Sequence, residues 1–169
     1  MDIKKYINTI NDFPKEGIVF RDISPLLANH RAFSYVIDNI ADKYNTKIID
    51  KIVGLDARGF IFGSAVSYKT GIPFVMVRKP GKLPDECESV DYQLEYGCNT
   101  FEIHKNSINQ NDKILIIDDL LATGGSVKAV AELIRKMGAE IHALECIVEL
   151  DFLNARESLD FQINAQVVF

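Results

Sequence analysis

Asp118 and Asp119 stand side by side and are followed, after Leu120-Leu121-Ala122, by Thr123-Gly124-Gly125-Ser126. Small residues let backbone amides close around an anion, and Thr123 and Ser126 add hydroxyl donors. A helix opening on that turn presents free N–H groups and the positive end of its dipole to the same point. The acids cannot ligate a phosphate, because like charges repel. Beside such a cradle they suit ribose hydroxyls or a hydrated magnesium ion. A sugar phosphate matches both halves. GxxxxGK[ST] and GxGxxG are missing, so the pattern is neither a Walker loop nor a dinucleotide fingerprint. The plain alternative is a buried strand, an acidic cap region and a Gly-containing loop with no ligand.

Two other stretches carry charge in the right setting. Asp56-Ala57-Arg58-Gly59 follows the apolar run Ile52 to Leu55. An acid, a small residue, Arg and Gly at a strand's C-terminal end fit a ligand loop, since open α/β sheets bind there. Arg78-Lys79-Pro80-Gly81-Lys82 follows Pro73 to Val77 in the same way. A cationic run with Pro and Gly is usually a solvated turn. Behind a strand of a sugar-phosphate protein it reads better as an anion clamp.

The elements that must position these groups are visible as periodicities. Ile114 to Ile117 is an unbroken apolar run, the pattern of a strand buried on both faces in a parallel sheet. The two acids end it. Val127, Val130, Ala131, Ile134 and Met137 share one face of a following helix, with Gly138 as its stop. Ile3, Tyr6, Ile7 and Ile10 mark a short N-terminal helix, and Ala32 to Tyr44 and Ile61 to Lys69 two more. Ile141 to Leu150 is a further strand, and the tail from Phe161 to Phe169 is apolar enough to pack back. Strands alternating with helices imply an α/β fold with a largely parallel sheet.

The bulk properties narrow the classes. A chain of 169 residues suits one domain with a useful core. A net charge of −5 argues against broad nucleic-acid or anionic-membrane binding. Cys87, Cys98 and Cys146 are scattered and odd in number, which points to reduced thiols in the cytoplasm. No apolar run reaches membrane-spanning length, and the N-terminus leads into no signal-peptide core. His30, His104 and His142 lack ligand-like spacing.

IIDDLLATGGS resembles the phosphoribosyl-diphosphate signature of type I phosphoribosyltransferases, with Ser126 where Thr is usual. FPKEGIVFRDISPLL, GLDARGF, VRKPGKLP and YQLEYG resemble, in the same order, segments of the adenine phosphoribosyltransferases. The likeness spans roughly residues 11 to 150. It implies a single domain, 1–169, of the type I fold, with a small N-terminal hood over about 1–28 and a mobile hairpin over about 78–98. It implies that Asp118 and Asp119 face the ribose hydroxyls of phosphoribosyl diphosphate (PRPP), while Ala122, Thr123, Gly124, Gly125 and Ser126 wrap its 5′-phosphate. By the same resemblance Asp56, Ala57 and Arg58 would form a pyrophosphate loop, in which the family often holds a cis peptide at the position of Asp56–Ala57. Arg78, Lys79 and Lys82 would, by that resemblance, also serve the pyrophosphate, and in dimers of the family such cations can reach the neighbouring site. The resemblance further implies that Val19, Phe20 and Arg21 line the adenine pocket, largely through backbone groups, and that Glu95 is the catalytic acid/base.

The implied activity is purine salvage: adenine and PRPP give AMP and pyrophosphate, with Mg²⁺ held through PRPP, waters and Asp118 or Asp119. The implied assembly is a homodimer. Asp85, Glu86, Glu88 and Asp91 depart from the family's neutral loop and are expected to point outward. Two readings compete: a transferase for hypoxanthine, guanine or xanthine, and a regulator that keeps the fold without the reaction. An intact loop and Glu95 weigh against the second.

Overall fold

A computed structural model describes residues 1–94 and 97–169, and the candidate catalytic residue Glu95 lies outside the described residues. After a 3₁₀ turn at Ile3–Tyr6 come β1 (Asn8–Ile10), β2 (Phe20–Asp22), α1 (Ser24–Ala28), α2 (His30–Ala41), β3 (Lys51–Leu55), α3 (Gly59–Thr70) and β4 (Phe74–Val77). Then follow β5 (Cys87–Leu94), β6 (Gly97–His104), β7 (Lys113–Leu121), α4 (Gly125–Lys136), β8 (Glu140–Glu149), two 3₁₀ turns at Asp151–Leu153 and Ala155–Ser158, and β9 (Gln162–Val168).

Five strands form the central sheet in the order β4-β3-β7-β8-β9. Every pairing in it is parallel. The strand carrying the acids is therefore central, and its apolar run is covered twice. Leu115 and Ile117 pack with α1, α2 and α3 on one face. Ile114 and Ile116 pack with α4 and the β5–β6 hairpin on the other. That alternation follows from the two-residue period of a strand, and it explains why no polar residue interrupts the run. All C-terminal strand ends open on one edge, where the Asp56 loop, the Arg78 loop and the Asp118 to Ser126 segment meet.

Two expectations change, and a third gains its detail. The N-terminal segment is helical only as the 3₁₀ turn; Asn8–Ile10 instead pairs antiparallel with Phe20–Asp22. Pairing with a distant segment has overridden a helical periodicity only a few residues long. The acids do not end β7 either. The strand runs on to Leu121, with Leu120 opposite Val148 and Leu121 opposite Glu149. The apolar tail does pack back, and does so as β9, a parallel edge strand beside β8.

The outward-pointing acids are accounted for individually. Glu86 meets Lys105 at 3.1 Å and Glu88 meets Lys136 of α4 at 2.7 Å. Asp91 accepts the Thr100 hydroxyl at 2.6 Å, and Asp85 is exposed at a left-handed φ of 70°.

Candidate active site

Glycine conformations set the geometry of the cradle. Gly124 has φ +83°, a left-handed value that turns the chain out of β7 and into α4. The first turn of α4 then starts at Gly125, so the amides of Gly125 and Ser126 face the space beyond the strand. Opposite them, β3 ends in the Asp56–Ala57 peptide, which is cis. Gly59 opens α3 so close to β7 that a Cβ there would lie 2.7 Å from the Ile117 carbonyl oxygen and 3.1 Å from Asp118 Oδ1. No side chain fits, and this approach is what closes the two loops around one cleft.

The cleft has a volume of about 260 Å³ and is lined by Asp56 to Arg58 on one side and Asp118 to Val127 on the other. The structure thus brings together Asp118, Asp119, Ala122, Thr123, Gly124, Gly125, Ser126, Asp56, Ala57 and Arg58, as the sequence implied. Leu120, Leu121 and Val127 also line it. Sequence reasoning missed Leu120 and Leu121 because it placed the end of the strand too early, and it read Val127 only as part of the buried face of α4.

Electrostatics divide the cleft. Arg58 Nε sits 3.0 Å from Asp119 Oδ2. Asp118 Oδ1 accepts the Asp119 N–H at 2.9 Å. Burial, reinforced by the neighbouring Asp119 charge, pushes the Asp118 carboxyl well above its ordinary value. Burial raises Asp119 too, and the Arg58 charge opposes the rise without cancelling it. Two adjacent acids are thus held where a cation or hydroxyl donors would relieve them.

The cationic loop converges on the same edge. Arg78 Nε donates to Asp56 Oδ2 at 3.3 Å, and Lys82 Nζ lies 3.6 Å from the same oxygen. Arg78 also donates to the Lys82 carbonyl at 3.3 Å. Burial pushes the Asp56 carboxyl up, but the Arg78 hydrogen bond, the Lys79 N–H and the two cations outweigh it and leave it below the usual carboxylate range. Asp56 is therefore the anchor of Arg78 and Lys82. The Lys79 side chain is exposed.

The β1–β2 hairpin stands beside the cleft, with the Phe20 ring centroid 5.6 Å from the Arg58 guanidinium. Val19 is exposed just ahead of it. The Arg21 side chain turns away from this side: it stacks 3.8 Å over the Phe169 ring and bonds the Thr9 hydroxyl. The backbone of β2, paired on one edge only, is what Arg21 leaves available.

Residues 22–161 match the phosphoribosyl transferase domain family, which sets the class of protein. An adenine phosphoribosyltransferase of Pseudothermotoga lettingae is 48% identical over 170 residues, covering 100% of both chains. One from Geobacter metallireducens is 51% identical over 160 residues, covering 94% of this chain and 92% of its own. Among solved structures, the adenine phosphoribosyltransferase of Thermoanaerobacter pseudethanolicus superposes with a TM-score of 0.94 at 43% identity, over 99% of this chain and 98% of that one. The Saccharomyces cerevisiae enzyme, complexed with adenine and an imino-altritol bisphosphate, gives 0.93 at 38% identity over 98% and 97%. This chain belongs to the adenine phosphoribosyltransferase family.

Proposed function

We propose that the protein transfers the phosphoribosyl group of PRPP to adenine, forming AMP and releasing pyrophosphate. The observation that carries this reading is the single cleft in which paired acids and a helix-opening amide turn face an arginine loop. The C1′–O bond to pyrophosphate breaks and a C1′–N9 bond forms, and the N9 proton is lost overall. The amides of Gly125 and Ser126, with the Thr123 and Ser126 hydroxyls, hold the 5′-phosphate. Asp118 and Asp119 accept from the ribose hydroxyls and lie where positive charge builds on the ring. Arg58, Arg78, Lys79 and Lys82 bind the departing pyrophosphate by charge-assisted contacts. Arg78 and Lys82 would exchange Asp56 for it. Val19, Phe20 and Arg21 read the base from the hairpin, and Glu95 supplies the carboxylate near it.

Asp118 and Asp119 also fit a magnesium ion, because a cation would relieve both the burial and the mutual repulsion of the pair. Among the described residues no group of three or more His, Cys, Asp or Glu converges, so PRPP oxygens and water would complete the coordination. When bound, the ion supplies charge neutralisation for the leaving group. Asp118 and Asp119 hold the ribose in register for it. No helix among the described residues is long and apolar enough to cross a membrane. The free thiols of Cys87 and Cys146 accord with the cytoplasm, and Ile61 and Tyr68, exposed on the outer face of α3, support a homodimer.

The test is a pyrophosphate-release assay across adenine, hypoxanthine, guanine, xanthine and orotate. Adenine should be turned over and the 6-oxopurines rejected by roughly 10⁴-fold, the scale of a buried polar mismatch. Hypoxanthine or guanine matching adenine would overturn the base assignment. In the same assay Glu95→Gln should lower kcat and kcat/KM together by about 10²–10⁴-fold. An unchanged rate would remove Glu95 from the mechanism.

A further inference from the structure

Glu149 ends β8 as a buried carboxylate that no step of the reaction uses. Its two oxygens accept from Arg156 Nε at 2.6 Å and Nη2 at 2.7 Å, a parallel two-point pair. The remaining Arg156 nitrogen, Nη1, donates to the Ile163 carbonyl of β9 at 3.0 Å. Arg156 itself lies in the 3₁₀ turn Ala155–Ser158. Three bonds from one side chain thus pin that turn to the C-terminal end of β8 and to the start of β9.

The turn has a second neighbour. A Cβ built on Gly124 would lie 3.2 Å from the Ala155 methyl and 3.4 Å from Ser158 Oγ. The Ser158 hydroxyl is fixed by its bond to the Ala155 carbonyl at 2.9 Å. Ala155 is itself buried among the apolar residues between the sheet and α4. The outer wall of the phosphate turn is therefore the Ala155–Ser158 turn, packed against the one residue whose left-handed φ aims the α4 amides.

We infer that Arg156, oriented by Glu149, is a positioning residue for the 5′-phosphate site: it seats Ala155 and Ser158 behind Gly124 and so fixes where the Gly125 and Ser126 amides point. The inference rests on the reading of this turn as the 5′-phosphate cradle. Free to move outward, the turn lets Gly124 relax, and the amides lose their convergence on the anion. Binding of the 5′-phosphate suffers first. Base binding, on the opposite hairpin, does not.

The experiment titrates ribose 5-phosphate and adenine separately into the full chain by calorimetry, alongside steady-state kinetics in PRPP. Arg156→Gln should weaken ribose 5-phosphate by about tenfold, the equivalent of one well-aligned phosphate hydrogen bond. The KM for PRPP should rise similarly, with kcat at saturation and adenine affinity kept. Arg156→Lys, which restores the charge and one bond, should recover part of the loss. Ala155→Gly removes the wall's methyl without touching the ion pair. It should give the same split, and it keeps the inference testable if loss of Arg156 prevents folding. Unchanged ribose 5-phosphate affinity in Arg156→Gln or Ala155→Gly, or an equal loss for adenine, would overturn the positioning role alone. A parent protein that fails to bind ribose 5-phosphate would overturn the cradle reading, and the positioning role with it.

Discussion

Asp118 carries a conflict between binding and stability. Its carboxyl is held above the ordinary value by burial and by Asp119, so the folded protein binds that proton more tightly than the unfolded chain does. Stability then falls as pH rises from the ordinary carboxylate value to the raised one, and the cost persists above it. Asp118→Asn removes the charge and keeps an oxygen to accept the Asp119 N–H. The variant without ligand should therefore melt higher than the parent at neutral pH. A gain of about 1 kcal/mol corresponds to roughly 2–4 °C for a chain of this size. The difference should vanish at acid pH, where both forms are protonated. PRPP should raise the variant's Tm far less than the parent's, since a ligand stabilises the folded state by the logarithm of its concentration over Kd. Calorimetric scans across pH, with and without PRPP, check both signs; a variant that melts lower at neutral pH would show that the paired acids are not a burden. The identity of these acids was legible in the sequence, because Asp-Asp before a Gly turn is a local pattern. Their tension was not, since it comes from burial once the sheet and α3 close over them, which their mutual repulsion reinforces and Arg58 only partly offsets.

Glycines fix how the elements meet, and they separate a binding contact from a packing contact within one helix. At Gly59 a Cβ would strike the Ile117 carbonyl at 2.7 Å, while at Gly63 it would meet the Phe74 ring at 2.5 Å. Both should cost about 1–3 kcal/mol as overpacking. Only Gly59→Ala pushes the start of α3 away from β7, carrying Arg58 off Asp119. Gly59→Ala should therefore lose both stability and PRPP affinity, whereas Gly63→Ala should lose stability and keep the affinity of its folded fraction. Equal PRPP affinity in the two folded variants would mean that α3 does not set the cleft. The order of strands and helices was legible because each is marked by its own periodicity. What escaped the sequence was pairing between distant segments: Asn8–Ile10 against Phe20–Asp22, Leu120 and Leu121 against Val148 and Glu149, and the tail as β9. A partner many residues away leaves no local mark on the chain that accepts it. The Glu149–Arg156 pair spans only seven residues, but the 3₁₀ turns that bring its ends together carry no periodicity to announce them.

At the scale of the whole molecule, α3 is the helix with something left over. Its sequence, GFIFGSAVSYKT, is apolar nearly all round, and a helix of that kind needs cover on both sides. Phe62 and Val66 face the core, but Ile61 is 38% exposed and Tyr68 94% exposed. Beside Tyr68, a groove of about 230 Å³ runs between α2 and α3, lined by Phe33, Ile37 and Ala65. The Asp38–Lys69 pair, at 2.7 Å, marks its polar rim. A second copy of the chain covering this face would form the homodimer proposed above. It would also clamp the helix whose first residues hold Arg58 and Gly59 in the cleft. The parent should then sediment as a dimer, with a Tm that rises with protein concentration. Ile61→Lys with Tyr68→Glu places charge on the exposed face without disturbing the core side. It should sediment as a folded monomer with a Tm independent of concentration and a weaker grip on PRPP. A monomeric parent, or a doubly charged variant that still sediments as a dimer, would rule this face out. A monomer with PRPP affinity equal to the parent's would show that the α3 end of the cleft holds its shape without a neighbour.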